Sequence, residues 1–555
     1  MQRGLARVPH PAAPIDSARS TRPEPRYMNE PSTRLSRRTL LLATAIGLGG
    51  LAAPAFAAKR KKHEPARKAA PTVAGTPLTY PKLIDLRDGD TFDLVAEPAT
   101  HAFLKDKPVA VIGYGGTYMG PALRLRRGTA PKVRLVNRLD RPTNVHWHGL
   151  LVEGRFDGGS HGGVAPGGDW TARLAVDQPA ATLWYHAHVH GRTAEDVHDG
   201  LAGLLLVEDP NDAVARALPA TWGVDDLPLV LQDRTFDPDG RPLYEKTTAV
   251  LEHGFHGATM IVNGIADAVA RVPQRLVRLR LVNASGSRTF RLFLEDQRTF
   301  RLIATDAGLL GAPVDLTYMA LAPGERAEIL VDFAEGGTAL MTGPDDHEHR
   351  SGARIMTVPD VLAAPARLVA FDAVADAAPH HTVPATLAAL PALPRTTAGL
   401  KRRRFELRVE PGVDPHAAMV HAGMDHAAMI SGAPVARSIA PLAPVAPRVT
   451  INGQVFDPGR IDEKVDFGAV EVWEIVSPEM AHPFHVHGAH FRVLGEDGGR
   501  PKAWNTGAKD TVLVENSAEL LVTFASRADQ AAPFVYHCHL LEHEDGGMMG
   551  TFTVA

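Results

Sequence analysis

Short runs in which apolar and polar residues alternate, each cut off by turn residues, recur along most of the chain. "KVRLVNRL" begins at Lys132, "TARLAVD" at Thr171, "RLVRLRLVN" at Arg275, "AEILVDF" at Ala327, "AVEVWEIV" at Ala469 and "ELLVTFAS" at Glu519. A period of two places every second side chain on one face of a strand. Runs this short at this spacing predict an all-β protein built of sandwiches. The 50 glycines and 44 prolines suit a chain with that many turns. Two softer stretches, 208–226 and the Ala/Pro/Leu-rich 359–402, divide it into blocks of about 76–208, 225–358 and 403–555. Each block has the size of one β-sandwich, and 359–402 is expected to be a linker.

Ahead of these blocks, "LSRRTLLLATAIGLGGLAAPAFAAKRKK" pairs Arg37 with Arg38, continues in an apolar run from Leu40 and reaches Ala55-Phe56-Ala57. This is the anatomy of a twin-arginine signal peptide within residues 1–57, with Met28 as an alternative start to Met1. It predicts a periplasmic or otherwise exported protein handed to the twin-arginine translocation machinery, a route for folded, cofactor-loaded proteins. Residues 58–75 are basic and read as a disordered linker. No other run is apolar enough to span a membrane, so no stable membrane anchor is expected. A net charge of −4 gives no case for nucleic acid binding.

The 26 histidines are the compositional outlier, and eight of them form four His-x-His units in apolar surroundings. "VHWHG" holds His146 and His148, and "WYHAHVHG" holds His186 and His188. "HPFHVHG" holds His485 and His487 with His482 ahead of them, and "YHCHLLEH" holds His537 and His539 with His543 behind. On a strand, the two histidines of a unit face the same way, roughly 6.5–7 Å apart. That spacing serves two neighbouring metals better than one, and eight imidazoles suit a compact cluster of three. Imidazole accepts Cu, Zn, Fe and Ni, so the pairs alone do not choose the metal.

Cys538, the single cysteine, does choose it. It lies between His537 and His539, so its side chain points away from the face they share. His482, His543 and Met548 remain to join it. Two His, one Cys and a weak axial Met are the blue-copper electron-transfer ligand set. A fifth pair at this spacing, His347 and His349 in "DDHEHRSG", sits among Asp and Gly and is expected in a surface loop, not at a metal.

With "HWHG", "HAHVHG", "HPFHVH" and "HCHLLEHEDGGMM" in this order, and "TMIVNG" and "LAPGERAEILVDF" in the middle block, the chain closely resembles the multicopper oxidase family over roughly residues 76–555. The resemblance implies three cupredoxin-like β-sandwich domains and four copper ions, with no ligands from the middle domain. It implies a type 1 copper on His482, Cys538, His543 and axial Met548. It places a type 2 copper on His146 and His485, and two type 3 coppers on His148, His186, His188, His487, His537 and His539. The implied reaction is one-electron oxidation of a reductant coupled to reduction of dioxygen to water by a monomeric enzyme. That reduction consumes protons, and Asp157 and Glu544 match the family's acidic positions. Their alternatives are turn formation and a solvated loop.

The reductant is expected to be Cu(I), in the manner of the family's periplasmic copper-tolerance oxidases. "PHAAMVHAGMDHAAMI" within 415–430 sets His416, Met419, His421, Met424, His426 and Met429 close together, and imidazole and thioether both suit Cu(I). Met480 matches a position these oxidases use beside the type 1 site. The acid expected just before His482 is displaced, with Pro478 there and Glu479 following. The alternatives are a laccase-like oxidase of phenols, with the His/Met segment merely packing, and a copper-sequestering protein with incidental turnover.

Overall fold

The computed structural model describes residues 73–160, 162–351, 354–376, 381–410 and 446–555. The expected signal peptide, nearly all of the basic linker and the 415–430 segment lie outside the described residues. Each block forms two packed sheets, which makes the chain all-β. In the first block, Leu83–Asp85, Ala122–Arg126, Ala202–Glu208 and Ala181–His186 form one sheet. Lys107–Tyr114, Thr91–Leu104, Lys132–Asn137 and Asp169–Arg173 form the other. Lys132–Asn137 buries every second residue, as its alternation requires. Leu94, Leu125, Leu135 and Trp147 meet in the core between the sheets.

The middle block is a six-stranded sheet on a larger one, and the third packs six strands on five. Phe405, in the third core, has its ring centroid 4.7 Å from that of Trp473 and 4.6 Å from that of Tyr536, with the rings tilted. Among the described residues, no helix is long and apolar enough to cross a membrane.

Two strands depart from the expected divisions. Thr76–Pro77, expected to open the first block, pairs instead with Ala268–Val269 of the middle one. The stretch 359–402, expected as a linker, contains the strand Ala366–Val374, which joins Ala268–Pro273 to Ala339–Gly343 inside the middle sheet. Its Ala and Pro richness hid a short β-run.

Leu276–Asn283 departs differently. Its alternation predicts a solvent face, yet all eight residues are buried. Arg278 and Arg280 bind Glu328, and Arg280 also donates to Asp226 at 2.7 and 2.9 Å and to Thr182 of the first block at 2.9 Å. The polar face is therefore an interface between blocks, tolerable because each buried charge is paired.

Candidate metal centres

Strand register brings the histidines together. His146 and His186 exchange both backbone hydrogen bonds, at 2.8 and 3.1 Å. In the third block His485 stands directly opposite His537, while Phe484 stands opposite Cys538. Directly opposed residues share a face. Two histidines thus point to one side of the strands and the thiol to the other.

All eight histidines are buried. His148, His186 and His539 form one trio, and His188, His487 and His537 a second, with potential ligand atoms of each within 4.8 Å of one another. His146 and His485 converge with His148 in a third group. His537 Nε2 is 3.3 Å from His188 Nε2 and 3.2 Å from His487 Nε2. Burial pushes both trios well below the usual imidazole range, and crowding by neighbouring imidazoles adds to it. A neutral ring keeps one nitrogen lone pair free for a metal.

The outward nitrogens decide which atom that is. His146 Nδ1–H donates to the Asp157 carbonyl at 3.0 Å and His186 Nδ1–H to the Ala187 carbonyl at 2.9 Å. His485 Nδ1–H donates to the Asp510 carbonyl at 2.9 Å. Each leaves Nε2 buried without a protein partner. His148 is reversed: its Nε2 meets Asp510 Oδ1 at 3.2 Å and Thr511 Oγ1 at 3.1 Å, and Nδ1 is the unpartnered atom. Fixing a ring by its second nitrogen is what orients a metal ligand.

Two carboxylates close on the cluster. Asp157, at the end of the one-turn helix Gly154–Asp157, places Oδ2 2.7 Å from His487 Nδ1 and 3.4 Å from His146 Nδ1. Glu544, in the helix Leu541–Asp545, has one oxygen 3.3 Å from His188 Nδ1 and the other 3.3 Å from His537 Nδ1. Glu544 is fully buried, and burial pushes its carboxyl well above the ordinary range. A solvated loop is excluded for it.

On the opposite face, Cys538 Sγ lies 3.9 Å from His543 Nδ1 and accepts from Leu540 N–H at 3.4 Å. His482 completes a trio with them. Ser477 Oγ holds His482 Nδ1 at 2.6 Å, leaving Nε2 without a protein partner. Met548 is buried in the same core, and its carbonyl accepts from Cys538 N–H at 3.1 Å. Burial drives the thiol well above its usual value. A thiolate there needs a cation beside it. Behind, His543 Nε2–H donates to the Glu252 carbonyl of the middle block at 3.1 Å.

Reading the sequence missed a buried charge network from the middle block. Arg326 grips Asp510 with bonds of 2.6 and 2.5 Å, and Asp510 holds His148. Burial would raise the Asp510 carboxyl, but the Arg326 guanidinium outweighs it and holds the group well below the usual range. Lys509 Nζ lies 3.1 Å from both Asp306 and Glu325 alongside. Arg326 stands inside "LAPGERAEILVDF", a motif visible in the sequence but without an assigned task. Gly149, the last residue of "HWHG", has φ +87°, and a Cβ there would sit 2.4 Å from Arg326 and 2.6 Å from Asp510.

Above the Cys538 site opens a cavity of about 290 Å³, lined on one side by Met480, Ala481, Pro483 and Leu540. Glu479, the displaced acid, is not among the lining residues and is tied to Arg408 at 2.6 Å. The surface loop expected for His347 and His349 is overturned. They lie on the strand His347–Ser351, paired with Arg354–Val358, and His349 is only 6% exposed. The hairpin folds inward over the cavity, so its Asp-rich composition misled.

These donors, buried imidazoles with one buried thiol and a methionine, fit copper. A family model described as "Multicopper oxidase" matches residues 96–212, and a second of the same description matches 422–555. The "Cell division protein FtsP" of Xenorhabdus nematophila is 35% identical over 520 residues, covering 94% of this chain and 98% of that one. The "Multicopper oxidase mco" of Staphylococcus aureus is 32% identical, covering 86% of this chain and 92% of that one. A solved bacterial laccase-like multi-copper oxidase, CueO from Ochrobactrum sp., is 38% identical with a TM-score of 0.73, covering 86% of this chain and 100% of that one.

Proposed function

Because the chain belongs to the multicopper oxidase family, we propose that it oxidises a one-electron donor, Cu(I), at the Cys538 site and reduces dioxygen to water at the histidine cluster. The grouping of donors supports this most: three buried trios and a pair, with Met548 buried in the same core as Cys538. His482, Cys538, His543 and Met548 would hold a type 1 copper. His146 and His485 would hold the type 2 copper, and the trios His148/His186/His539 and His188/His487/His537 the two type 3 coppers. When bound, these metals supply one-electron acceptance at the thiolate and reduction of dioxygen at the cluster.

The chain's own groups do the rest. Cys538 sits between His537 and His539 in the chain, at the end of the strand Phe534–Cys538, so a single residue of backbone leads from the thiolate to each trio. Burial of every donor keeps bulk water out. Asp157 orients His487 and, with Glu544, is placed to hold protons for the four that each dioxygen consumes. The twin-arginine segment supports export, which suits a role in copper tolerance outside the cytoplasm.

Oxygen consumption by copper-loaded protein, with buffered Cu(I) and a methoxyphenol compared side by side, tests the donor. Fast uptake with Cu(I) supports a cuprous oxidase. Fast phenol turnover without added copper makes the enzyme laccase-like instead. Cys538→Ser is expected to abolish both the blue thiolate absorption and oxygen uptake, and a variant that stayed blue would overturn the assignment. His186→Ala is expected to stay blue and lose oxygen reduction by at least a hundredfold. The FtsP-named relatives support a second reading, service in cell division. A folded protein that takes up no copper would favour it.

A further inference from the structure

The helix Leu541–Asp545 is five residues long, yet it carries both His543 of the Cys538 site and Glu544 of the cluster. A helix this short is not held by propensity, so tertiary contacts must place it. Glu542 supplies two of them. It is only 2% exposed, and among the described residues no Lys or Arg pairs with it. Ser287 Oγ–H donates to its Oε2 at 2.5 Å and the Tyr244 hydroxyl to its Oε1 at 2.9 Å, both from the middle block. Burying an acid without a cation costs stability, and a methionine of similar bulk would fill the space without that cost. The carboxyl group is explained by the geometry it enforces.

The middle block is shaped to receive it. Gly254 has φ +84°, and a Cβ there would sit 2.2 Å from Ser287 Oγ and 3.7 Å from Glu542 Oε2. A Cβ on Gly286 would sit 3.4 Å from Glu542 Oε1. The Tyr244 ring is set by His198 and Phe255, whose ring centroids are 4.9 and 5.3 Å away. The Gly286 carbonyl accepts from Leu541 N–H at 3.0 Å. The Glu252 carbonyl, two positions before Gly254, accepts from His543 Nε2–H at 3.1 Å. The middle block thus holds His543 twice, once by its ring and once by its backbone through Glu542. What it leaves free is Nδ1, 3.9 Å from Cys538 Sγ.

We propose that Glu542 is a positioning residue for the Cys538 site: through Ser287 and Tyr244 it fixes the backbone of His543, and with it the aim of Nδ1 at the thiol. The proposal rests on the reading of His543 as a type 1 copper ligand. Glu542 acts here as a pair of hydrogen-bonding oxygens. A glutamine keeps both contacts, because a hydroxyl that donates to a carboxyl oxygen also accepts from an amide N–H. A methionine keeps neither.

The test compares the full-length wild type with Glu542→Met and Glu542→Gln. In the metal-free protein, the single thiol Cys538 is labelled with a disulfide reagent under native conditions. Glu542→Met should label about tenfold faster, the effect of losing one hydrogen bond's worth of local stability. After copper loading, the same variant should show a shifted blue band and an altered type 1 electron paramagnetic resonance signal, with the type 2 signal unmoved. It should also release type 1 copper to a chelator about tenfold faster. Glu542→Gln should match the wild type throughout. Tyr244→Phe, which removes one contact at a half-buried position, should fall between them and serves where Glu542→Met does not fold. A Glu542→Met protein that unfolds earlier but keeps wild-type labelling and an unmoved type 1 signature would make the residue a stabiliser only and overturn the proposal. Glutamine behaving as methionine does would overturn it too, because the effect would then belong to charge. If the copper-loaded wild type never turns blue, the oxidase reading fails, and the labelling rates alone decide whether Glu542 holds the helix over Cys538.

Discussion

Replacing Arg326 by Met tests whether the middle block, which gives no ligand to the cluster, nevertheless sets its geometry. The substitution keeps side-chain bulk but leaves the fully buried Asp510 carboxylate without its bidentate partner. Breaking a buried ion pair from one side costs about 3–5 kcal/mol. The Gly324, Thr182 and Asp306 carbonyls lose donors at 3.0, 3.2 and 3.0 Å. The total need not be the sum, because these groups form one network. Asp510 also positions His148, and losing such a support costs metal affinity by about 10–100-fold. The assay is urea unfolding of the metal-free protein, with copper content and the type 2 signal measured after loading. The expected variant unfolds earlier, retains the blue absorption, and loses copper from the cluster first. The pH dependence has a definite sign. Asp510 is held below its ordinary value of 3.8, so the stability it contributes is full above that pH and is lost as acid protonates it. The gap between wild type and variant should narrow below about pH 4. Unchanged unfolding together with unchanged copper retention would refute the reasoning.

Two further outcomes are expected. Glu544→Gln should leave the blue colour intact but slow oxygen reduction by about 10²–10⁴-fold, measured as reoxidation of the pre-reduced protein over a range of pH, because the amide cannot pass a proton. Gly149→Ala should destabilise the protein by about 1–3 kcal/mol from backbone strain alone, since φ is +87° there, and the crowding of Asp510 adds to it; unfolding as late as the wild type would count against the tight packing of that turn.

What was legible in the sequence was whatever depends on period two. Alternation in Lys132–Asn137 identified a strand and its inward face, and the same rule set Cys538 apart from His537 and His539. The rule failed where the second face was buried too: at Leu276–Asn283 the arginines pair with acids on other strands, and nothing local distinguishes them from solvent-facing residues. His347 and His349 obeyed the period, yet an Asp-rich neighbourhood outweighed it. Arg326 and Asp510 lie 184 residues apart, a separation that no spacing argument on one sequence bridges.

Every group in the cluster draws on both end blocks: His148 and His186 meet His539, His188 meets His487 and His537, and His146 meets His485. Between His188 and His537 run 349 positions of chain, and the whole middle block is enclosed in that span. Copper there would act as a cross-link as well as a cofactor, with its binding energy added to the closure of the first block on the third. Removing it should loosen that seam before it loosens any single sandwich, so a chelated protein should be cut by proteases at the block boundaries while each core stays folded.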